Sequence, residues 1–147
     1  MNLLAIEIGG TKLQLYAGTA DGEIRERRRF PVDRAAGGKG IRRQIEAALP
    51  ELVTQWQPQT IGVGYGGPVN ASSGRVARSY HLAGWNDYPL AKWLTKRTGL
   101  PAFIENDANV AALGEARHGA GRDCDPVFYL TLGSGVVAMG LLILATV

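Results

Sequence analysis

Three short segments of this 147-residue chain have the residue types that phosphate and hydroxyl chemistry needs. The first contains Gly9, Gly10, Thr11 and Lys12, which follow an apolar run. Glycines in a turn between strands let backbone N–H groups approach a phosphate closely, and here a hydroxyl and an ammonium come directly after them. The spacing of a Walker loop and the helix-opening glycines of a dinucleotide fingerprint are both missing. On its residues alone, this segment predicts either a phosphate loop or an ordinary hairpin.

The second segment places four polar side chains at the end of a short apolar run, namely Glu105, Asn106, Asp107 and Asn109. The carboxyl ends of strands are where α/β sheets bind ligands, and an Asp there could accept a proton from a hydroxyl. Asp107 is also well placed to cap the helix that follows, because Asp and Asn are preferred N-cap residues. The residues leave both interpretations open.

The third segment, Gly133, Ser134 and Gly135, follows another strand-like run and resembles the first in its small residues. By itself it predicts an ordinary turn more readily than a phosphate loop. Two such glycine turns at opposite ends of one chain would suit a phosphate held between two lobes.

The chain around these segments alternates between strand-like and helix-like patterns. Apolar runs and period-two alternation predict strands, and apolar residues at helical spacing predict helices. The predicted strands cover residues 3–8, 12–17, 23–32, 60–65, 102–105 and 127–132, and the predicted helices cover residues 41–56, 89–98 and 108–118. Three meandering strands followed by alternating helices and strands indicate a mixed α/β sheet flanked by helices.

Two further expectations concern the first helix. Gly37, Gly38 and Gly40 predict a loop before it, since glycines are frequent in turns. Pro50 lies inside the helical pattern and predicts a kink or a restart there.

Charge and cysteine content argue against a nucleic-acid-binding protein, a disulfide-rich protein and a zinc protein. The formal net charge of +3 is mild, and one dense basic cluster stands out, Arg25, Arg27, Arg28 and Arg29. We interpret this cluster as a charged edge strand, because no aromatic residues interleave with it and no recognition helix follows. The single cysteine, Cys124, builds neither a disulfide framework nor a zinc site.

The sequence also predicts no membrane or secretory segment. Residues 136–147 form an apolar stretch of 12 residues, short of the roughly 20 that a membrane-spanning helix needs. The first residues show no basic n-region and no cleavage site. We therefore expect a cytoplasmic protein with no membrane or nucleic-acid partner.

Taken together, the motifs resemble those of the ROK family (repressors, open reading frames and kinases). Each motif is common by itself, but four occur here in the order and spacing of ROK sugar kinases. They lie at residues 6–12, 62–69, 105–109 and 130–135. The resemblance covers residues from about 3 to 135.

The resemblance implies a ribonuclease-H-like mixed sheet with flanking helices, one lobe of the two-lobe fold of the actin, hexokinase and Hsp70 superfamily. It implies ATP-dependent phosphorylation of a hexose or an N-acetylhexosamine, with ATP and Mg²⁺ in the cleft between lobes. Because ROK kinases are commonly dimers or tetramers, it also implies a homo-oligomer.

The resemblance assigns roles residue by residue. The nucleotide phosphates would lie against two loops, formed by Gly9, Gly10, Thr11 and Lys12, and by Gly133, Ser134 and Gly135. The sugar would be held by Asn106 and Asp107, with Asp107 as the catalytic base and Gly67 at the edge of the sugar pocket. Glu7 would help to place the metal and its waters, acting on Mg²⁺ indirectly.

The chain departs from the ROK pattern in three places. The family usually has Asp where this chain has Glu7, and one extra methylene would move that carboxylate. An apolar stretch from Val136 replaces the further glycines of the second phosphate loop. The second lobe has no counterpart here. We expect residues 1–135 to form an N-terminal ROK lobe and residues 136–147 an atypical apolar tail, and the isolated chain to be an inactive fragment.

The motifs are also compatible with two alternatives to a kinase lobe. A ROK transcriptional regulator senses sugar with the same fold, but such regulators carry an N-terminal helix-turn-helix, and the first strand here begins at Leu3. A non-catalytic fragment that binds sugar or nucleotide without turnover is the other alternative. Separate measurements of binding and turnover would distinguish it from a kinase.

Overall fold

The computed structural model describes residues 1–79, 82–132 and 136–141, with the backbone alone for residues 131, 132 and 136–141. The chain divides into two compact units, Met1–Asn106 and Asp107–Val147. The elements in chain order are β1 Asn2–Ile8, β2 Lys12–Thr19, β3 Ile24–Pro31, α1 Gly37–Trp56, β4 Ile61–Tyr65, β5 Val69–Asn70, β6 Arg75–Val76, α2 Leu90–Thr98, β7 Ala102–Asn106, α3 Asp107–His118, β8 Val127–Leu132 and β9 Val136–Leu141.

The first unit is built on a five-stranded sheet with the strand order β3-β2-β1-β4-β7. The first three strands form an antiparallel meander, and β4 pairs in parallel with both β1 and β7. This is the mixed sheet that the sequence pattern predicts. β3 lies at one edge of the sheet, as its arginines indicate.

One face of this sheet carries the hydrophobic core. Alternate residues of the strands point to it and pack with the apolar faces of α1 and α2, because side chains alternate between the faces of a sheet. On the opposite face the side chains are more polar or absent, and Phe103 is 67% exposed. The two helices therefore cover one face of the sheet.

The prediction of a loop at Gly37, Gly38 and Gly40 is wrong, because α1 begins at Gly37. The glycines allow the first turn of this helix to pack closely against a neighbouring loop. The Gly38 N–H donates to the carbonyl oxygen of Ala83 at 2.8 Å. A Cβ added at Gly38 would lie 2.9 Å from ring atoms of Trp85.

Pro50 does not restart the helix either, since α1 runs without interruption from Gly37 to Trp56. Leu49 and Leu52, on either side of the proline, are 3% and 1% exposed. Their burial in the core offsets the hydrogen bond that the proline cannot donate.

A small sheet that the sequence pattern does not predict and a buried tryptophan hold the loop between β4 and α2 in place. β5 and β6 form a two-stranded antiparallel sheet within it. Trp85 is fully buried, with edge contacts to the rings of Tyr65 at 5.8 Å and Tyr88 at 5.4 Å. Arg42 of α1 donates to the carbonyl oxygen of Gly84 at 2.9 Å and lies over the Tyr88 ring at 4.2 Å. The loop is therefore fastened to the start of α1.

The second unit contains α3 and an antiparallel hairpin of β8 and β9. Ala108, Ala112 and Ala116 form the buried side of α3. β9 falls within the segment that we expected to be an atypical tail. In the part of the chain that is described, no helix combines the length and apolar character needed to cross a membrane.

Glu26 of β3 provides a test of this packing. The Trp56 indole donates to its Oε2 at 2.7 Å and Arg28 contacts its Oε1 at 2.6 Å. The Trp56 hydrogen bond, followed by that of Arg28, holds the pKa of Glu26 below its ordinary value of 4.5. A carboxylate with a lowered folded-state pKa stabilises the fold above its unfolded pKa, and this contribution is lost as the pH falls through the folded value.

We predict that Glu26→Gln lowers the Tm by about 2 °C at neutral pH, a small effect because the site is close to solvent. The Tm difference from the wild type should shrink as the pH is lowered below 4.5 and through the lowered pKa of Glu26, because the wild type then loses the same carboxylate. Differential scanning calorimetry over this range is the measurement. Glu23→Gln on the same hairpin, without a Trp56 contact, is the matched control. A Tm difference independent of pH would show that Glu26 acts through packing alone.

Candidate functional site

Three parallel strands end side by side at one edge of the sheet of the first unit. Ile8, Tyr65 and Asn106 are register partners across β1, β4 and β7. The Gly66 N–H donates to the carbonyl oxygen of Ile8 at 2.9 Å, which ties the ends of β1 and β4 together. Open α/β sheets bind ligands at the carboxyl ends of their strands. This edge is therefore the candidate site, and all the described residues with predicted site roles lie on it or next to it in sequence.

The turn between β1 and β2 is tight and open to approach. The Gly9 N–H donates to the carbonyl oxygen of Lys12 at 3.0 Å. Neither Gly9 nor Gly10 has a left-handed φ. Among the described residues, a Cβ added at Gly10 would meet only a guanidinium nitrogen of Arg34, at 3.9 Å. Since the fold itself does not require glycine at position 10, the absence of a side chain there suits the approach of a ligand to the backbone.

Glu7 is held by side chains of β2. Its Oε2 accepts hydrogen bonds from the Gln14 amide and, at 3.3 Å, from the Tyr16 hydroxyl. Its Oε1 lies 3.3 Å from Lys12 Nζ. Glu7 and Gln14 are register partners, and Gln14 is only 2% exposed. The longer side chain of Glu therefore directs its carboxylate across the strand pair toward β2.

Tyr16 remains a hydrogen-bond donor in this cluster. Burial, and after it the negative charge of Glu7, raise the pKa of the Tyr16 hydroxyl above its ordinary value of 10.0. The hydroxyl is therefore protonated at neutral pH and donates to the carboxylate.

The residues at this edge fit Mg²⁺ only in an indirect role. Among the described residues, no group of three or more His, Cys, Asp or Glu side chains could hold a metal ion. Mg²⁺ is commonly held by one or two carboxylates together with substrate phosphates and several waters. Glu7, beside the open turn at Gly10, suits that arrangement.

Asn106 and Gly67, which are 39 positions apart, are in direct contact. Asn106 Nδ2 donates to the carbonyl oxygen of Gly67 at 3.1 Å. Glu105 Oε1 accepts from the Asn106 N–H at 2.7 Å. A Cβ at Gly67 would lie 3.0 Å from the Tyr65 ring, so any larger residue there would crowd this ring. The structure thus brings together two residues that were both predicted to contact sugar.

Asp107 is the first residue of α3 and follows Asn106 directly in the chain. Its Oδ1 accepts from the Ala108 N–H at 2.9 Å. Asp107 therefore lies at the start of a helix, as the capping interpretation requires. It also lies directly after the end of a strand, as the catalytic interpretation requires.

The predicted second phosphate loop lies outside the described residues. Gly133, Ser134 and Gly135 fall between the end of β8 at Leu132 and the start of β9 at Val136.

Arg34 is a site residue that sequence reasoning missed. Its Nε donates to the carbonyl oxygen of Gly10 at 3.2 Å, across 24 positions of sequence. Nothing in the local pattern around Arg34 indicates this contact, since it depends on how the loop after β3 folds back. The contact places a second cation, besides Lys12, at the β1–β2 turn.

The sequence matches the ROK family over residues 3–143. It is 33% identical over 138 residues to a glucokinase of Halalkalibacterium halodurans, covering 90% of this chain and 42% of the relative. It is 34% identical over 146 residues to an N-acetylmannosamine kinase of Shigella flexneri, covering 97% of this chain and 50% of the relative. The chain thus spans about half the length of these relatives.

The fold also matches solved structures. The crystal structure of a ROK family glucokinase from Streptomyces griseus, in complex with glucose and AMPPNP, superposes with a TM-score of 0.85 at 30% identity. The match covers 97% of this chain and 45% of that protein. The predicted fold class, a mixed sheet with flanking helices of the actin and hexokinase type, is therefore confirmed. With a family match across nearly its whole length and a shared fold, this chain belongs to the ROK family.

Proposed function

We propose that this chain carries one half of a sugar kinase site, in which ATP phosphorylates a hydroxyl of a hexose or an N-acetylhexosamine. The observation that carries the proposal is the edge where β1, β4 and β7 end together. An open glycine turn and a carboxylate lie there beside the Asn106–Gly67 contact. In-line phosphoryl transfer depends mainly on positioning and charge neutralisation, which this combination of groups suits.

On the phosphate side, Gly9 closes the turn through its hydrogen bond to the carbonyl oxygen of Lys12. Gly10 and Thr11 would offer backbone N–H groups, and Lys12 would supply a cation. Backbone amides stabilise charge on a phosphoryl group without reorganising. Glu7 would hold waters of the Mg²⁺ ion, and the bound ion would neutralise charge on the phosphates. The second phosphate loop of the proposal consists of Gly133, Ser134 and Gly135.

On the sugar side, Asn106 and Gly67 would contact sugar hydroxyls, and Asp107 would accept the proton of the attacking hydroxyl. A free Asp has a pKa of about 3.9 and is a weak base toward an alcohol. It can nevertheless accept the proton late, once the bond between oxygen and phosphorus has begun to form. Its contact with the N–H of Ala108 fixes the start of α3, which would orient the carboxyl group.

The substrate class rests on the relatives. Glucokinases and N-acetylmannosamine kinases match this chain at similar identity, 33% and 34%, so similarity favours neither sugar. We therefore propose the shared class, a hexose or an N-acetylhexosamine. We also propose that the full assembly is a homo-oligomer, as the resemblance to ROK kinases implies.

The phosphate turn can be tested with Gly10→Ala. We predict that this substitution weakens binding of inorganic tripolyphosphate to residues 1–147 several-fold, because the added methyl lies where a phosphate would approach the backbone. The Tm should stay unchanged or rise by a few degrees, since Gly→Ala without strain reduces the entropy of the unfolded chain. Gly62→Ala is the matched control, as its Cβ would also enter open space. Equal tripolyphosphate affinity of both variants would exclude Gly10 from the phosphate site.

The role of Asp107 can be tested in a two-lobe chimera that joins this chain to the second half of the H. halodurans glucokinase. We predict that Asp107→Asn lowers kcat by about 100-fold or more, the usual cost of losing a general base. Its Tm should hardly change, because Asn caps a helix about as well as Asp. Asp21→Asn, in the exposed turn after β2, is the control. Wild-type kcat in the Asp107 variant would leave Asp107 with a capping role alone.

We predict that the polypeptide of residues 1–147 produces no ADP in response to hexoses. Phosphoryl transfer needs the sugar hydroxyl held in line with the γ-phosphate, and this chain spans about half of the relatives that it matches. A coupled ADP-release assay with several hexoses and N-acetylhexosamines, run beside light scattering, is the measurement. Steady sugar-dependent ADP release by a monomer would contradict the prediction.

A further inference from the structure

The loop between β3 and α1 brings a guanidinium group to the β1–β2 turn. Arg34 Nε donates to the carbonyl oxygen of Gly10 at 3.2 Å. Its Nη2 lies 3.9 Å from the point that a Gly10 Cβ would occupy. The side chain therefore borders the open space above Gly10, where the proposed function requires a phosphate.

The backbone of this loop is held in place by three hydrogen bonds. The Val32 N–H donates to the carbonyl oxygen of Thr11 at 3.1 Å, which attaches the loop to the β1–β2 turn itself. Asp33 Oδ1 accepts from the Ala35 N–H at 2.9 Å. The Gly37 N–H donates to the carbonyl oxygen of Arg34 at 3.2 Å. The position of Arg34 beside Gly10 thus follows from an ordered turn and not from its side chain alone.

The charges at the turn are distributed unequally. Lys12 forms an ion pair with Glu7 at 3.3 Å, so its charge is already compensated by a carboxylate. Within the part of the chain that the structure describes, Arg34 forms no ion pair, and its side chain is exposed. Arg34 is therefore the uncompensated cation at this turn.

The remaining donors of Arg34 match phosphate geometry. A guanidinium group has five N–H donors in a planar fork. The bond to the Gly10 carbonyl uses Nε and leaves both terminal nitrogens, which can donate in parallel to two phosphate oxygens. The contact to Gly10 at the same time fixes the plane of the fork beside the turn.

We propose that Arg34 is a phosphate-binding residue, which extends the β1–β2 turn into a site for a polyphosphate chain. This proposal rests on the proposed function, since it assumes that the turn binds phosphate. The ligand chemistry is a linear triphosphate, which either a nucleoside triphosphate or inorganic polyphosphate could supply. Arg34 would contact the phosphates alone and no base or ribose.

The test is a titration of ¹⁵N-labelled residues 1–147 with inorganic tripolyphosphate and, separately, with ATP, each with Mg²⁺. NMR reports the amide signals of Gly9, Gly10 and Thr11 and the Nε–H signal of Arg34, and it detects weak binding. In the wild type we expect chemical-shift changes both at the amides of the β1–β2 turn and at the Nε–H of Arg34. Arg34→Gln should weaken tripolyphosphate binding about tenfold, which corresponds to about 1.4 kcal/mol. Arg34→Lys keeps the charge but loses the planar fork of donors. Its tripolyphosphate affinity should lie between those of the wild type and Arg34→Gln.

Arg43→Gln on the exposed side of α1 is the matched control, because it removes the same charge away from the turn. It should bind like the wild type, and circular dichroism should show all variants folded. The same loss for ATP and for tripolyphosphate would show that Arg34 contacts phosphate, and tighter ATP binding in every variant would identify the nucleotide as the preferred source.

Two results would overturn the proposal, and they are distinguishable. If Arg34→Gln binds tripolyphosphate as tightly as the wild type while the Gly10 amide still shifts, Arg34 is not a ligand and the phosphate turn remains. If tripolyphosphate shifts no amide of the turn in the wild type, the phosphate role of the turn fails and the role of Arg34 fails with it.

Discussion

The parallel pairing of β4 with both β1 and β7 is the constraint on which the candidate site of the first unit depends. In a parallel ladder, strands that run side by side must end at the same edge, so whatever follows each strand is brought together there. The glycine turn after Ile8, Gly66 after Tyr65 and the side chain of Asn106 meet for this reason. A shift of one residue in β4 would exchange the two faces of that strand, so that Gly62 and Gly64 would replace Ile61, Val63 and Tyr65 on the core face.

Because side chains alternate along these strands, the residues of the hydrophobic core lie on one face of the sheet and Glu7 lies on the other. Ile6, Ile8, Val63 and Ile104 lie on the face packed by α1 and α2 and are at most 3% exposed. Glu7 alternates with Ile6 and Ile8 in β1 and lies on the opposite face, together with its partner Gln14. The core can therefore be packed tightly without constraining the polar face. The carboxylate of Glu7, in contrast, is fixed by hydrogen bonds from β2 and not by apolar contacts.

Two loops are fastened to neighbouring elements close to the start of α1. The loop with Trp85 is packed against the start of α1, where Gly38 has no side chain that would collide with the indole. The loop with Arg34 is attached to the β1–β2 turn through Val32 and Thr11. Because loops of this kind gain order from such contacts, the groups they present can be positioned as well as those on strands.

The sequence by itself determined the order of the longer elements of the first unit and of α3 and β8, because periodicity along the chain reports which side of an element is buried. It also predicted the end of α2 at residue 98, directly before Gly99 with its φ of 74°, and the edge position of the arginine-rich β3. It did not predict the short strands β5 and β6 or the strand β9. It misjudged Gly37 and Gly38, since glycine in a turn and glycine under an indole have the same local pattern. The Asn106–Gly67 and Arg34–Gly10 contacts, spanning 39 and 24 positions, were decided by the tertiary structure alone. Such contacts depend on strand register and on how loops return to the sheet, and no short stretch of residues encodes either.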